Sequence, residues 1–516
     1  MIAVSFNKEK YFYDVHSLVR AFYPGEEVVC FVRWEKEIET DPERFALAVD
    51  LAEEQGSIAV TFVPGSRYPD RAGKKREAYT RRSGCALPAD GERESSIDFN
   101  PLTDGDGRRV YRAKNALKRL LYRMLEEETG KSLPWGSLTG IRPTHIPKIL
   151  YEAGWESSAI LRELSETFFV SKEKAALAVE IADRERRILE EEDYESGYSL
   201  YIGIPFCPTT CLYCSFPSWP IAGREKQVEE YLDALMKEMD FVAKRFREKT
   251  LYTVYFGGGT PTTLSPGQSE RLLQALEKCF DLSAVKELTV EAGRPDSLTA
   301  EKLAVLNRHH VTRISVNPQS MQQRTLDLIG RRHTAEDVHR AFHLARACGD
   351  FRINMDLILG LPGERAADVK DTLDQVAALG PDDLTLHALA LKRGSRMQAL
   401  AETKGVTFPA FTDIEEASAL AQAKAREMGL APYYLYRQKN IAGNLENTGF
   451  AREDAIGLYN ILINEDVHSI VALGAGAISK CVRGDLVTRA ENVKELGQYL
   501  ERIDEMIGRK RALYSE

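Results

Sequence analysis

Cys207, Cys211 and Cys214 stand at a Cys-x3-Cys-x2-Cys spacing in the stretch Tyr201-Ile-Gly-Ile-Pro-Phe-Cys-Pro-Thr-Thr-Cys-Leu-Tyr-Cys214. Thiolates this close read as ligands rather than packing. Tetrahedral structural zinc needs four ligands, and no nearby Cys or His completes the set. A disulfide would leave one thiol over. A 4Fe–4S cluster normally takes four thiolates, so three protein ligands leave one iron open. An open iron is what holding the amino and carboxylate groups of S-adenosylmethionine requires. An electron passed to the sulfonium then gives a 5′-deoxyadenosyl radical, one of the hard chemistries that proteins delegate to cofactors.

A second motif is Tyr255-Phe-Gly-Gly-Gly-Thr-Pro-Thr262, whose glycines let backbone groups approach a ligand with no side chain in the way. Further polar residues stand where β-type runs end. Glu291 could accept from amino or ribose hydroxyl groups. Gln319 lies in Asn-Pro-Gln-Ser, and Arg331 carries a guanidinium suited to a carboxylate. Asp356 lies in Asn-Met-Asp-Leu-Ile-Leu-Gly. Together they favour ligand contacts over surface polarity.

The elements that position these residues follow a clear rhythm. Six β-type runs cover Ser199–Ile204, Tyr252–Phe256, Glu287–Glu291, Thr312–Asn317, Arg352–Leu357 and Asp383–Leu389. Helical patterns over 225–247, 267–280, 299–309, 334–348 and 366–379 separate them. Strands alternating with helices of this length mean parallel βαβ units. Six in series predict an α/β fold, a partial (β/α)6 barrel over residues 196–400, with ligand chemistry at the C-terminal strand ends. Residues 401–516 read as a mixed α/β region on the substrate side, in which the run Tyr433–Asn440 sets aromatics beside a cation, either as ordinary packing or as a wall for a flat substrate. Residues 106–195 read as helical and contain the bend Leu138-Thr-Gly-Ile-Arg-Pro-Thr144. Residues 1–105 read as a small α/β domain, with β-type runs at Glu27–Trp34 and Ser57–Val63, a helix over Pro42–Gln55, and loops over Gly65–Gly107. The basic stretch Arg71–Arg82 reads as a solvated loop, or more sharply as an anion-binding patch.

The cysteine loop resembles the signature of the radical S-adenosylmethionine superfamily. The longer string Tyr201-x-x-Ile-Pro-Phe-Cys207-x3-Cys211-x-Tyr213-Cys214 is similar to its oxygen-independent coproporphyrinogen III oxidase (HemN-type) branch. The whole length, with its N-terminal extension and the 138–144 segment, looks most like the HemZ coproporphyrinogen dehydrogenase subgroup. The resemblance implies a 4Fe–4S cluster on Cys207, Cys211 and Cys214. It implies S-adenosylmethionine contacts at Tyr201, Tyr213, Gly258, Gly259, Thr260, Glu291, Gln319, Arg331, Asp356, Ala390 and Ile478. It also implies a tetrapyrrole or haem partner and a reductant such as flavodoxin or ferredoxin. The expected reaction is decarboxylation of coproporphyrinogen III propionates to vinyls, giving protoporphyrinogen IX. The alternatives are a radical methyltransferase, a haem-degrading enzyme, or a non-catalytic haem chaperone with His333, His387 or Cys481 as axial ligand. Two departures bear on the choice. Gly203 stands where the oxidase has histidine, and Phe216 where it has a further cysteine.

Composition agrees with a globular protein: 516 residues, 43% hydrophobic and 28% charged. The net charge of −9 argues against a general nucleic-acid binder. No apolar run reaches membrane-spanning length, and the N-terminus has no signal-peptide pattern, so a cytoplasmic protein is expected. Cys30, Cys85, Cys279, Cys348 and Cys481 are scattered and read as reduced core thiols.

Overall fold

The computed structural model describes residues 2–7, 9, 11–24, 26–32, 45–52, 57–63, 81–86, 105–390, 396–397, 407–438, 444–484 and 486–515. The chain divides into two compact units, Met1–Asp183 and Arg184–Glu516.

The first unit is built on a sheet of order β2-β1-β3-β4-β5, made of β1 (Ile2–Phe6), β2 (Val28–Val32), β3 (Phe45–Ala52), β4 (Ser57–Val63) and β5 (Arg81–Ala86). Helices α1 (Phe12–Phe22) and α2 (Gly105–Thr129) supply Val15, Leu18, Phe22, Leu117, Leu121 and Leu125 to its core. The helix expected over Pro42–Gln55 is a strand where it is described, at β3. Phe45, Leu47, Val49 and Leu51 alternate with smaller or polar residues, a period of two. Pairing with β1 on one side and β4 on the other outweighs the helix propensity of the alanines. Most of the Arg71–Arg82 stretch lies outside the described residues. Three further helices follow: α3 (His145–Glu152), α4 (Ser157–Thr167) and α5 (Lys172–Leu189). The bend before α3 depends less on Gly140, whose Cβ would meet nothing, than on Gly136. Gly136 has φ +53°, and a Cβ there would lie 2.0 Å from the Phe168 carbonyl oxygen.

The second unit carries the predicted rhythm. Its strands are β6 (Tyr198–Ile204), β7 (Phe206–Cys207), β8 (Trp219–Pro220), β9 (Leu251–Gly258), β10 (Glu287–Val290), β11 (Arg313–Ser315), β12 (Arg352–Leu359) and β13 (Asp383–Ala388). Helices α6 (Glu225–Arg245), α7 (Pro266–Cys279), α8 (Ala300–Arg308), α9 (Gln323–Leu328), α10 (Ala335–Cys348) and α11 (Ala366–Leu379) lie between them. The six long strands β6, β9, β10, β11, β12 and β13 are all parallel. Their near-continuous burial is what a parallel sheet covered on both faces requires. Capping boxes at Ser265/Gln268 and Thr334/Asp337 start α7 and α10 sharply after their strands.

After α12 (Phe411–Glu427), the strands β14 (Ala431–Tyr436) and β15 (Asn447–Ala451) pair antiparallel and extend the sheet beyond β13. Helix α13 (Leu458–Asn464) then leads to β16 (Ser469–Leu473), β17 (Ile478–Arg483) and β18 (Leu486–Glu491). β16 joins the opposite side, parallel to β6. The result is one open sheet of order β14-β15-β13-β12-β11-β10-β9-β6-β16-β17-β18, a partial barrel rather than a closed one. Cys481 is buried, and Cys30, Cys279 and Cys348 are half-buried; all are free thiols.

Candidate functional site

The chain leaves β6 through Pro205 into β7, and the two-residue pairing of β7 with β8 closes the cysteine loop at its base. Leu212 N–H donates to the Ile329 carbonyl at 3.0 Å, tying the apex to the end of α9. All three cysteines line one cavity of about 590 Å³ at the C-terminal ends of the parallel strands.

Arg294 orders this loop. It is 3% exposed and forms two bonds with Asp296, at 2.9 and 2.7 Å. Its third nitrogen reaches Thr209 Oγ1 at 3.0 Å and Cys211 Sγ at 3.8 Å. A guanidinium against the sulfurs suits a site that holds negative charge. Burial pushes the Cys207 and Cys214 thiols up; Thr260 Oγ1, 3.5 Å from Cys207 Sγ, pulls in the opposite direction. Among the described residues, no three His, Cys, Asp or Glu side chains converge on a single-ion position. A 4Fe–4S cluster distributes its thiolates over separate irons, so its ligands need not converge on one point. Three thiols on one cavity wall, braced by a buried cation, fit such a cluster.

The other residues singled out in the sequence are placed as follows. Tyr213, Gly258, Gly259 and Thr260 line the cavity, as do Glu291, Gln319, Arg331, Asp356 and Ala390. The glycine loop lies against the β6 backbone. Gly259 N–H donates to the Ile204 carbonyl at 2.8 Å, and a Cβ on Gly259 would lie 2.5 Å from the Phe206 carbonyl oxygen. Gly258 has φ +105°, which an L side chain rarely adopts. Arg331 is buried, with Nη2 donating to Tyr213 Oη at 3.0 Å and Nη1 to the Gly293 and Asn317 carbonyls at 2.9 and 2.8 Å. It therefore pins Tyr213 and two strand ends. Gln319 has φ +65° and a buried Oε1 without a partner. Tyr201 does not line the cavity; it packs behind the glycine loop, its ring stacked 6.2 Å from that of Tyr255. Ile478 opens β17, is 45% exposed, and also lies outside the lining.

Two carboxylates face the cavity in different states. Burial pushes Glu291 up to about 7, against the hydrogen bond donated by Tyr255 Oη at 2.6 Å. Burial also acts to raise Asp356, but the His387 imidazole and the Asn354 amide outweigh it and hold Asp356 below its ordinary value. Asn354 Nδ2 and Asn317 Nδ2 each donate to Asp356 at 2.7 Å. Of the proposed axial ligands, His387 lines the cavity, whereas His333 and Cys481 are buried outside it.

The sequence reading missed Arg294, Asn317 and Asn354. Arg294 sits three residues after Glu291 in Ala-Gly-Arg-Pro-Asp, and that nearness to a strand end was the signal available. Of the far wall, the sequence offered Tyr434 and Tyr436 of β14 as one of two readings, and it missed Asn447, Asn460, Ile463 and Asn464, which β15 and α13 contribute. In the aromatic run Tyr433–Asn440, Tyr434 and Tyr436 face the cavity, Tyr433 is in the core, and Lys439 and Asn440 lie outside the described residues.

Residues 201–376 match the family model described as the Radical SAM superfamily. The chain is 40% identical over 400 residues to "Oxygen-independent coproporphyrinogen-III oxidase-like protein HemZ" of Bacillus subtilis, covering 76% of this chain and 79% of that protein. It is 32% identical over 236 residues to "Heme chaperone HemW" of the same organism, covering 46% of this chain and 62% of the chaperone. Among solved structures, Escherichia coli coproporphyrinogen III oxidase (HemN), described as a radical SAM enzyme, superposes with a TM-score of 0.50 at 26% identity, over 62% of this chain and 72% of that one. With the cysteine loop at the strand ends of such a sheet, the chain belongs to the radical SAM superfamily. Within it, the long match places the chain with the HemZ coproporphyrinogen oxidase-like proteins. Membership implies S-adenosylmethionine and a 4Fe–4S cluster as cofactors. No described helix is long and apolar enough to cross a membrane.

Proposed function

We propose that this protein acts on a tetrapyrrole, converting two propionates of coproporphyrinogen III to vinyls without oxygen. Each propionate would lose CO2, a β-hydrogen atom and one electron, giving protoporphyrinogen IX after two rounds. The observation that carries the reading is a single cavity. The cysteine loop forms one end, and an aromatic and amide wall forms the other. The HemZ-like protein of Bacillus subtilis supports it.

When bound, the cluster and S-adenosylmethionine would supply a hydrogen-abstracting radical. The chain's own residues would hold and orient. Cys207, Cys211 and Cys214 would ligate the cluster, with Arg294 fixing the loop. Glu291 and Asp356 would receive hydroxyl or amino donors of S-adenosylmethionine, and Gln319 would offer its unpartnered Oε1. Tyr434 and Tyr436 would lie along the tetrapyrrole face. The electron consumed in cleaving S-adenosylmethionine would come from a reductant such as flavodoxin or ferredoxin in the cytoplasm, and the electron lost by each propionate would pass to a one-electron acceptor of the same class.

The test is an anaerobic incubation of reduced, reconstituted protein with S-adenosylmethionine and coproporphyrinogen III. 5′-Deoxyadenosine together with vinyl-bearing product is expected. 5′-Deoxyadenosine alone would overturn the reading, and S-adenosylhomocysteine would point to methyl transfer. The likeness to the haem chaperone favours a second reading. Stoichiometric haem binding without turnover would establish that one instead.

A further inference from the structure

Three residues lining the cavity carry buried side-chain atoms without a hydrogen-bond partner: Ser218 Oγ, Gln319 Oε1 and Asn447 Nδ2. Ser218 belongs with the cysteine loop, and Gln319 with the expected S-adenosylmethionine contacts. Asn447 belongs to neither. It opens β15, opposite Tyr436, and is 1% exposed.

Its orientation is determined by its neighbours. Ala388 N–H donates to Asn447 Oδ1 at 3.0 Å, at the end of β13. A backbone N–H can only donate, so the amide oxygen must face Ala388 and the NH2 must face the other way. A buried donor left unmatched costs about 1–3 kcal/mol. An amide held in that state beside a large cavity is arranged to meet an acceptor.

The rest of the wall narrows the choice of acceptor. Two other wall amides are already engaged: Asn460 Nδ2 donates to Tyr433 Oη at 3.1 Å, and Asn464 Nδ2 to the Leu435 carbonyl at 3.2 Å. The arginines among the described lining, Arg294 and Arg331, are held by protein partners at the opposite end. A carboxylate entering the wall half therefore meets Asn447, whose Nδ2 is buried and unpaired, beside the hydroxyls of Tyr434 and Tyr436 and the amide of Gln438.

We infer that Asn447 is a substrate-recognition residue whose Nδ2 donates to a carboxylate oxygen of the ligand held against the β14–β15 wall. This rests on the tetrapyrrole reading above, in which that oxygen belongs to a propionate. S-adenosylmethionine is held from the strand ends on the other side of the cavity in the same reading, so its binding does not draw on Asn447.

The test uses the full chain with reconstituted cluster at pH 8.5. Coproporphyrin III serves as the tetracarboxylate probe and its tetramethyl ester as the uncharged one. Asn447→Asp keeps an oxygen for Ala388 N–H and replaces the free donor edge by a second oxygen. Asn447→Ala removes both groups. Asn447→Asp should weaken coproporphyrin III binding at least tenfold, with a smaller effect on the ester. S-adenosylmethionine affinity and the cluster's EPR signal should stay within twofold of wild type. Unchanged coproporphyrin III affinity in Asn447→Asp overturns this inference alone. Loss of S-adenosylmethionine affinity instead assigns the donor to the cofactor and overturns it. A defect in Asn447→Ala that Asn447→Asp fully rescues makes the residue structural. A wild-type protein that binds neither probe overturns the tetrapyrrole reading together with this one.

Discussion

The two ends of the cavity are built in opposite ways. At the cysteine end the long polar side chains are engaged with the protein itself. Arg294 grips Asp296 and Thr209, and Arg331 grips Tyr213 and two carbonyls. At the wall end, the aromatic rings and amides come from β14, β15 and α13, and the Asn447 donor edge stays unpaired. The first arrangement rigidifies a loop that must hold a cluster in one geometry. The second leaves recognition to groups whose partner arrives from outside. Unmet hydrogen-bonding capacity occurs on both sides, at Ser218 and Gln319 on the cofactor side and at Asn447 on the substrate side; the bracing by buried arginines is what sets the cofactor seat apart.

That contrast can be broken most severely by Cys211→Ala. Iron content, about four per chain when loaded, should fall to near zero, and 5′-deoxyadenosine formation should stop. The wall should keep its affinity for coproporphyrin III, and loss of that affinity would show that the two ends are not separable. The next effect concerns Glu291. Its pKa is raised from 4.5 to about 7 on folding. Between those values the folded protein keeps a proton that the unfolded chain has released. Stability is therefore fully present below pH 4.5 and is lost as pH rises to about 7, by up to about 3 kcal/mol. Denaturant midpoints measured across that range should fall in the wild type and fall less in Glu291→Gln.

Arg294→Met sharpens the cysteine end. It should cost ~2 kcal/mol, less than a broken buried pair, because Asp296 is 27% exposed. Iron retention during desalting should drop several-fold while probe binding at the wall is preserved. The smallest effect belongs to the wall backbone. A Cβ on Gly449 would lie 2.0 Å from Tyr434 Cε1, so Gly449→Ala must move that ring. It should cost roughly 1–2 kcal/mol as an overpacked site and raise KM for the tetrapyrrole, with iron content unchanged.

What the sequence made legible follows from the range of the interactions. The βα rhythm is local, so the expected runs fall on β6 and β9 to β13 within a few residues, and Ala366–Leu379 is the helix anticipated there. The cysteine spacing is local too. Phe45–Ala52 went astray because its alternation competes with three alanines across the expected helix, and the two neighbouring strands decide the outcome. The amides of the wall and the arginine of the cysteine loop were hidden for a different reason. Asn447 acquires its meaning from Ala388, 59 positions away, and Arg294 from Thr209, 85 positions away. Neither pairing leaves a periodic trace.

The placement of β16 has a consequence for synthesis. β6, the strand that delivers the cysteine loop, has β9 on one side and β16 on the other. Its second neighbour is Ser469–Leu473, so on the ribosome β6 presents an unpaired edge until some 265 further residues have been made. Translation halted near residue 400 would leave β6 and β13 as bare edges of a half-sheet. Both edges would then be open to pairing with the wrong strand.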